Sequence, residues 1–256
     1  MHVGRSYKLL EFIIWTKQNI IKLLIVSFIP VLLYQILGQK WLSIPWPVVA
    51  LLGTATAFLV GFKNTQTYNR TWEARQIWGA ILNNSRAWGL MCRDFLNNNA
   101  KTQELVYRHF AWLTALRYQM RDPRTWENAQ LQYNIEYRQF YTIPERESTL
   151  ETELAKYIPD HELQYILTTK NRAVQLMSLQ SKTVKQLFEN KEIDSYQFIE
   201  MERLIKDLYD QQGRSERIKN FPYPRQFSTV NTFFIRLFCI KYFAVISLEK
   251  KGRILC

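Results

Sequence analysis

Apolar positions concentrate in two stretches of the chain, residues 20–62 and 230–248, and recur elsewhere with helical spacing. From Leu23 to Gln39 no residue is charged, and Lys22 and Lys40 bracket that run of 17. As an α-helix the run reaches about 25 Å, and extending it back to Ile20 lets the Lys22 amine snorkel to headgroup level. A second uncharged run, Leu42 to Phe62, has 21 residues and can span a bilayer with tilt. Only Gln39-Lys40-Trp41 separates the two, which predicts an antiparallel membrane hairpin over 20–62. The late start and the immediate second span fit a cleaved signal peptide poorly. Arg5, Lys8, Lys17 and Lys22 precede the first span, and Lys63, Arg70, Arg75, Arg86 and Arg93 follow the second. Only Lys40 lies in the turn, so both ends of the hairpin are expected on the cytoplasmic side.

The second run carries two prolines, two glycines and two threonines, an unusual load for a lipid-facing anchor. Small and hydroxyl residues let helices approach closely or line a polar path. Thr54, Phe58 and Phe62 recur every four residues and share one stripe. The letters leave open whether that stripe packs on a partner helix or lines a pore.

Residues 63–228 read as helix after helix. Ala74, Ile77, Trp78, Ile81, Leu82, Ser85, Trp88 and Gly89 follow i, i+3, i+4, i+7 spacing. Leu105, Val106, His109, Phe110, Leu113 and Leu116 form a second stripe. Val174, Met177, Val184 and Phe188 suggest a third, and Phe198, Met201, Leu204, Ile205 and Leu208 a fourth. Pro144 and Pro159 punctuate the middle, and 122–147 is polar and expected to be irregular. No strand alternation is long enough to count, so the fold class is all-α. The expected organisation is a cytoplasmic segment 1–19, the hairpin 20–62, a cytoplasmic helical domain 63–228, and a partial third span with a shortened C-terminus over 229–256.

Charge changes this picture little. The chain has 34 Lys+Arg against 22 Asp+Glu, a net charge of +12, which fits nucleic acid, anionic lipid or a positive-inside cytoplasmic face. The hairpin favours the last, and no recognised nucleic-acid motif accompanies the basic and aromatic residues around Arg108–Arg124. Cys92, Cys239 and Cys256 lack the spacing of a disulfide framework or a metal site. Enzyme signatures are missing: His2, His109 and His161 are scattered, and Tyr165 stands where a zincin would need a second histidine after His161-Glu162. His109, on an apolar face, reads as a satisfied core residue, and Cys92 as a residue packed in a helix face.

The run Gly61-Phe62-Lys63-Asn64, then Tyr68-Asn69-Arg70, Glu73-Ala74-Arg75 and Trp78-Gly79, resembles the signature of bacterial bestrophins, with Lys63 replacing the usual arginine. Downstream, Ser215-Glu216-Arg217-Ile218 leading to Pro222 and Pro224 resembles the family's segment before a third span, which Leu237-Phe238-Cys239 would begin. The resemblance covers essentially the whole chain. It implies a homopentamer around a central pore in the cell membrane, multi-pass, with the N-terminus and the large domain cytoplasmic. Monovalent ions, the lipid bilayer and further copies of the chain are the implied partners, and no cofactor is implied.

Carried over position by position, the family's apolar neck falls on Phe62, Phe58 and Thr54, where Thr54 replaces a bulky aliphatic and would widen its ring. The cytoplasmic constriction falls on Ala173, after Asn171-Arg172. Apolar rings of this kind close a pore by dewetting. Animal members conduct chloride under calcium control, whereas characterised bacterial relatives pass monovalent cations. No acidic cluster here resembles the animal calcium clasp, so calcium gating of that type is not expected. The family has four membrane helices. This chain supplies at most three, the third carrying Arg236 and Lys241, which should face protein or water. It therefore reads as a C-terminally shortened copy. The competing expectation is a non-conducting, membrane-anchored helical scaffold.

Overall fold

The computed structural model describes residues 9–37, 45–127 and 130–252. The turn at Gln39-Lys40-Trp41 lies outside the described residues. Every long element among them is a helix: α1 Leu9–Ile36, α2 Trp46–Phe95, α3 Asn99–Arg121, α4 Gln132–Tyr137, α5 Pro144–Glu147, α6 Leu150–Leu154, α7 Asp160–Thr168, α8 Arg172–Glu189, α9 Ser195–Asn220 and α10 Arg225–Gly252. The chain divides into two compact units, and the division does not follow the boundaries expected at 62/63 and 228/229. The first unit holds the chain up to Asn69, Trp126–Thr142, and everything from Pro222 on. The second holds Arg70–Thr125 and Ile143–Phe221.

In the first unit, α1 begins at Leu9, well before the span expected from Ile20, because no proline, glycine or competing cap interrupts residues 9–20. Helix α10 begins at Arg225, directly after Pro222 and Pro224, rather than at Leu237. It packs along α1 and touches α2, where the position of a Cβ on Gly53 would lie 2.9 Å from Cε2 of Phe238. Ser27 of α1, Val49 and Thr56 of α2 and Asn231 of α10 are buried. Small and polar residues at helix contacts are what close packing between membrane helices requires. Thr56 returns its hydroxyl proton to Leu52 O at 2.7 Å, so it brings no unsatisfied group.

The stretch 122–147, expected to be irregular, is partly helical among its described residues. It contains α4, a 3₁₀ turn at Arg138–Phe140, and α5. Helix α4 packs on α1. The Trp15 indole N–H donates to Asn134 Oδ1 at 3.4 Å, and its ring meets those of Tyr133 and Tyr137 at 6.3 and 6.4 Å. Lys17 Nζ lies 2.8 Å from Glu136 Oε2, and Gln18 donates to the other oxygen at 3.4 Å.

The second unit is built around α3, which packs on α6, α8 and α9. Ile77, Ile81, Trp88 and Cys92 of α2 join the same apolar cluster as Leu105, Trp112 and Leu116 of α3, Leu176, Met177 and Val184 of α8, and Met201 and Leu208 of α9. Local chemistry starts these helices. Asn98 accepts from the Ala100 and Lys101 amides at the start of α3, Asn171 from Val174 at α8, and Asp194 forms a capping box with Gln197 at α9. Helix α8 stops in a Schellman turn. Lys191 takes φ 61°, its N–H donates to Phe188 O at 3.0 Å, and Glu192 N–H donates to Leu187 O at 2.9 Å.

Candidate functional site

Two constellations answer to the residues singled out in the sequence. The first lies on α2 within the first unit. At ~100° per residue, the inward positions Val49, Gly53 and Thr56 span roughly 60° of the helix surface. Thr54, Phe58 and Phe62 are centred about 170° away. Phe58 is 66% and Phe62 53% exposed, and their rings meet edge to face at a centroid distance of 4.5 Å. Thr54 is exposed as well, but its hydroxyl donates to Ala50 O at 3.1 Å. The polar atom is thereby turned to the backbone, and what the residue offers outward is mainly its methyl.

The second constellation joins Arg70 and Glu73 of one sequence motif to Glu216, Arg217 and Ile218 of the other, all within the second unit. Arg70 donates through Nη1 to Phe221 O at 2.6 Å and through Nη2 to Ile218 O at 2.9 Å. It thus satisfies carbonyls that the end of α9 leaves without helical partners and sets a cation at the negative end of that helix. One turn along α2, Glu73 pairs with Arg217. Next to it, Oε1 of Glu216 accepts from Gln119 at 3.0 Å, Asn171 at 3.1 Å and Gln212 at 2.8 Å. The Trp112 indole N–H in turn donates to Gln212 at 2.8 Å. Glu216 therefore ties α3, α8 and α9 together. Pro222 and Pro224 sit in the break between α9 and α10, where a proline interrupts helix hydrogen bonding at no further cost.

Other signature residues have plainer surroundings. Lys63 is half-buried, and Asn64, Tyr68 and Arg75 are exposed on α2. No atom lies within 4 Å of a Cβ placed on Gly61, so nothing in this subunit explains its glycine. Trp78 lines an open groove of about 480 Å³ with Ile81, Leu82, Phe110 and Leu113, flanked by Arg86 and Arg117. Ala173, expected at a constriction, is 1% exposed and lies in the apolar core at the start of α8. Its methyl has no free surface on this subunit. Arg236 is exposed and Lys241 half-buried on α10.

The sequence reading missed a buried ion cluster. Arg108, 3% exposed, donates from Nε to Glu162 at 3.1 Å, from Nη1 to Thr183 at 2.9 Å and from Nη2 to Glu104 at 2.8 Å. Burial alone would lower the Arg108 pKa; the hydrogen bond and charge of Glu162, then those of Glu104, outweigh it and hold it above its ordinary value. Burial likewise works to raise Glu104, and Lys101 and Arg108 overcome it and hold the carboxyl low. The signal was available: Arg108 interrupts the apolar stripe of Leu105, Trp112 and Leu116, and a charge on a core-facing stripe needs a partner. His109 is a core residue as expected, 2.9 Å from Ser85 Oγ. Burial pushes its pKa down to about 4.

Compared with known proteins, residues 13–242 match the family model described as Bacterial/Fungal Bestrophin protein. The chain belongs to the bestrophin family. This bestrophin is 26% identical over 198 residues to a voltage-dependent anion channel-forming protein of Ralstonia nicotianae, and 24% identical over 207 residues to the protein YneE of Escherichia coli K12, which bears the same description. Those matches take in 74% and 81% of this chain but only 55% and 59% of the relatives, so the chain spans little more than half their length. Among solved structures, two crystal structures of a bacterial bestrophin homologue from Klebsiella pneumoniae superimpose with TM-scores of 0.74 and 0.73 at 20% and 22% identity. They cover 90% and 89% of this chain and 77% of theirs. The all-α fold of this bestrophin is therefore the fold of those structures.

Proposed function

We propose that this bestrophin is the subunit of an ion channel in the cell membrane, a homopentamer passing monovalent ions along the Thr54–Phe58–Phe62 face of α2. The observation that carries this reading is that face itself. It is continuous, apolar and aromatic, and it lies opposite the side of α2 that packs within the subunit. Helices α1 and α2 are long and apolar enough to cross a bilayer, and the packing of α10 on α1 supports reading it as the third membrane segment. Copies of α2 around an axis would ring the path with Phe58 and Phe62 and close it by dewetting. The open groove beside Trp78 gives the second unit apolar surface for subunit contact. The description of the curated relatives favours anions as the permeant species.

The test is the detergent-corrected mass by light scattering, followed by bilayer recordings under a salt gradient. A fivefold mass with currents that Phe62→Ala enlarges without loss of assembly is the expected result, and the reversal potential gives the sign of the permeant ion. Unchanged currents in a folded Phe62→Ala pentamer would remove the neck assignment. A monomer that passes no current would leave the membrane-anchored scaffold.

A further inference from the structure

The N-terminal part of α1 and the aromatic helix α4 are not accounted for by the pore. Helix α1 has 28 residues and is therefore ~42 Å long, against ~30 Å for a hydrocarbon core. The excess of ~12 Å corresponds to about eight residues, enough to bring its N-terminal turns, from Leu9 to about Thr16, into the headgroup region. Their apolar side chains do not stop at the expected start of the span: Leu9 and Ile13 are exposed on the same side as Ile20 and Leu24. Helix α4 docks at that level, through Trp15, Lys17 and Gln18.

Helix α4 is two-sided. Tyr133, Tyr137 and Glu136 face α1. Leu131 and Ile135, one turn apart, point away from it and are 44% and 47% exposed. Phe140 and Tyr141 continue the exposed apolar surface beyond the helix. Charge identifies the occupant. Lys17 and Glu136 neutralise one another beside the patch, and Glu11 and Arg138, both half-buried, are of opposite sign, so what remains is a surface without net charge, apolar and edged by Trp and Tyr, the composition of membrane–water interfaces. A neutral, aromatic-edged surface continuous with the lipid-facing side of a spanning helix fits the headgroup boundary of a zwitterionic bilayer.

We infer that α4 and the first turns of α1 form an interfacial platform, with Leu131, Ile135, Phe140 and Tyr141 inserted among the headgroups of the bilayer that α1 crosses. The inference rests on α1 being a membrane span. The platform holds the entry angle of α1 from the water side, as interfacial anchors fix the tilt of spanning helices.

Spin labels placed one at a time at Leu131→Cys and Ile135→Cys in the full chain test it, with Cys239 and Cys256 replaced by alanine and the buried Cys92 retained. The protein is reconstituted in phosphatidylcholine vesicles, and collision with oxygen is compared with collision with a water-soluble nickel chelate. Leu24→Cys reports on the span and the 81% exposed Tyr196→Cys on water. The expected result is oxygen-dominated collision at 24, nickel-dominated collision at 196, and at 131 and 135 an oxygen-to-nickel ratio between those two, as the hydrated headgroup layer gives. A ratio at both 131 and 135 equal to that at 196, with 24 still oxygen-dominated, overturns the platform and leaves the span intact. Protection from both reagents at 131 and 135 also overturns it, because protein rather than lipid then covers the face. Nickel-dominated collision at 24 overturns the span reading itself. Both positions lie on the surface and are tested separately, so a variant that fails to fold leaves the other to decide.

Discussion

Single residues tie the family signature to stability. Arg70 is the sharpest case, because its two nitrogens reach two carbonyls at the end of α9. Arg70→Ala should cost about 1–2 kcal/mol, read as a lower unfolding temperature and as faster hydrogen exchange in the last turn of α9. Arg70→Lys should recover only part, since one ammonium cannot reproduce the two-pronged contact. His109 gives a pH signature. Its pKa falls from the ordinary 6.5 to about 4 on folding, so the unfolded chain binds the proton more tightly. Stability should be full above pH 6.5, decline as the pH falls toward 4, and lose at most about 3 kcal/mol to this group. His109→Gln should flatten that decline in denaturant titrations run across the interval. The motif residues were legible in the sequence, but what they touch was not. Arg70 and Ile218 are 148 positions apart, and nothing in either motif's spacing says that one caps the helix carrying the other.

At the scale of elements, periodicity found the amphipathic helices of the second unit, most cleanly α9, where Met201, Leu204, Ile205 and Leu208 are core residues; the expected stripe members Trp78, Leu82, Phe110 and Phe188 are exposed instead. It failed where the helix signal was uninterrupted or short. Helix α2 runs on through Lys63 for 50 residues, since a change from apolar to polar composition is no helix stop. Helix α4 has six residues and is held by α1, a tertiary contact that a local pattern cannot register. The contact between α2 and α10 gives a graded prediction. Gly53→Ala should be tolerated, because the edge of the Phe238 ring can swing aside. Gly53→Leu should cost about 1–3 kcal/mol by overpacking and lower the fraction that stays monodisperse on heating in detergent.

For the molecule as a whole, basic residues before the first apolar run and after the second predict that both flanks lie on the cytoplasmic side. A membrane-impermeant maleimide should then label Tyr196→Cys in inside-out vesicles and spare it in right-side-out ones. Labelling confined to right-side-out vesicles would reverse the orientation. The all-α class was legible because helical spacing recurs along the chain and no strand alternation competes with it. For Ala173, where the resemblance places a constriction, family correspondence supplies a position without a direction. Here the methyl is packed inward.

The meeting of Arg70 and Glu73 with the end of α9 also bears on inheritance. The segments 61–79 and 215–224 lie far apart in the gene, yet each completes the other in the folded chain. Arg70 holds backbone carbonyls that any residue at 218 and 221 would supply, so the identities of the two segments are coupled through Glu73 and Arg217. Swapping Glu73 and Arg217 together conserves the pair, whereas reversing either alone sets like charges against each other.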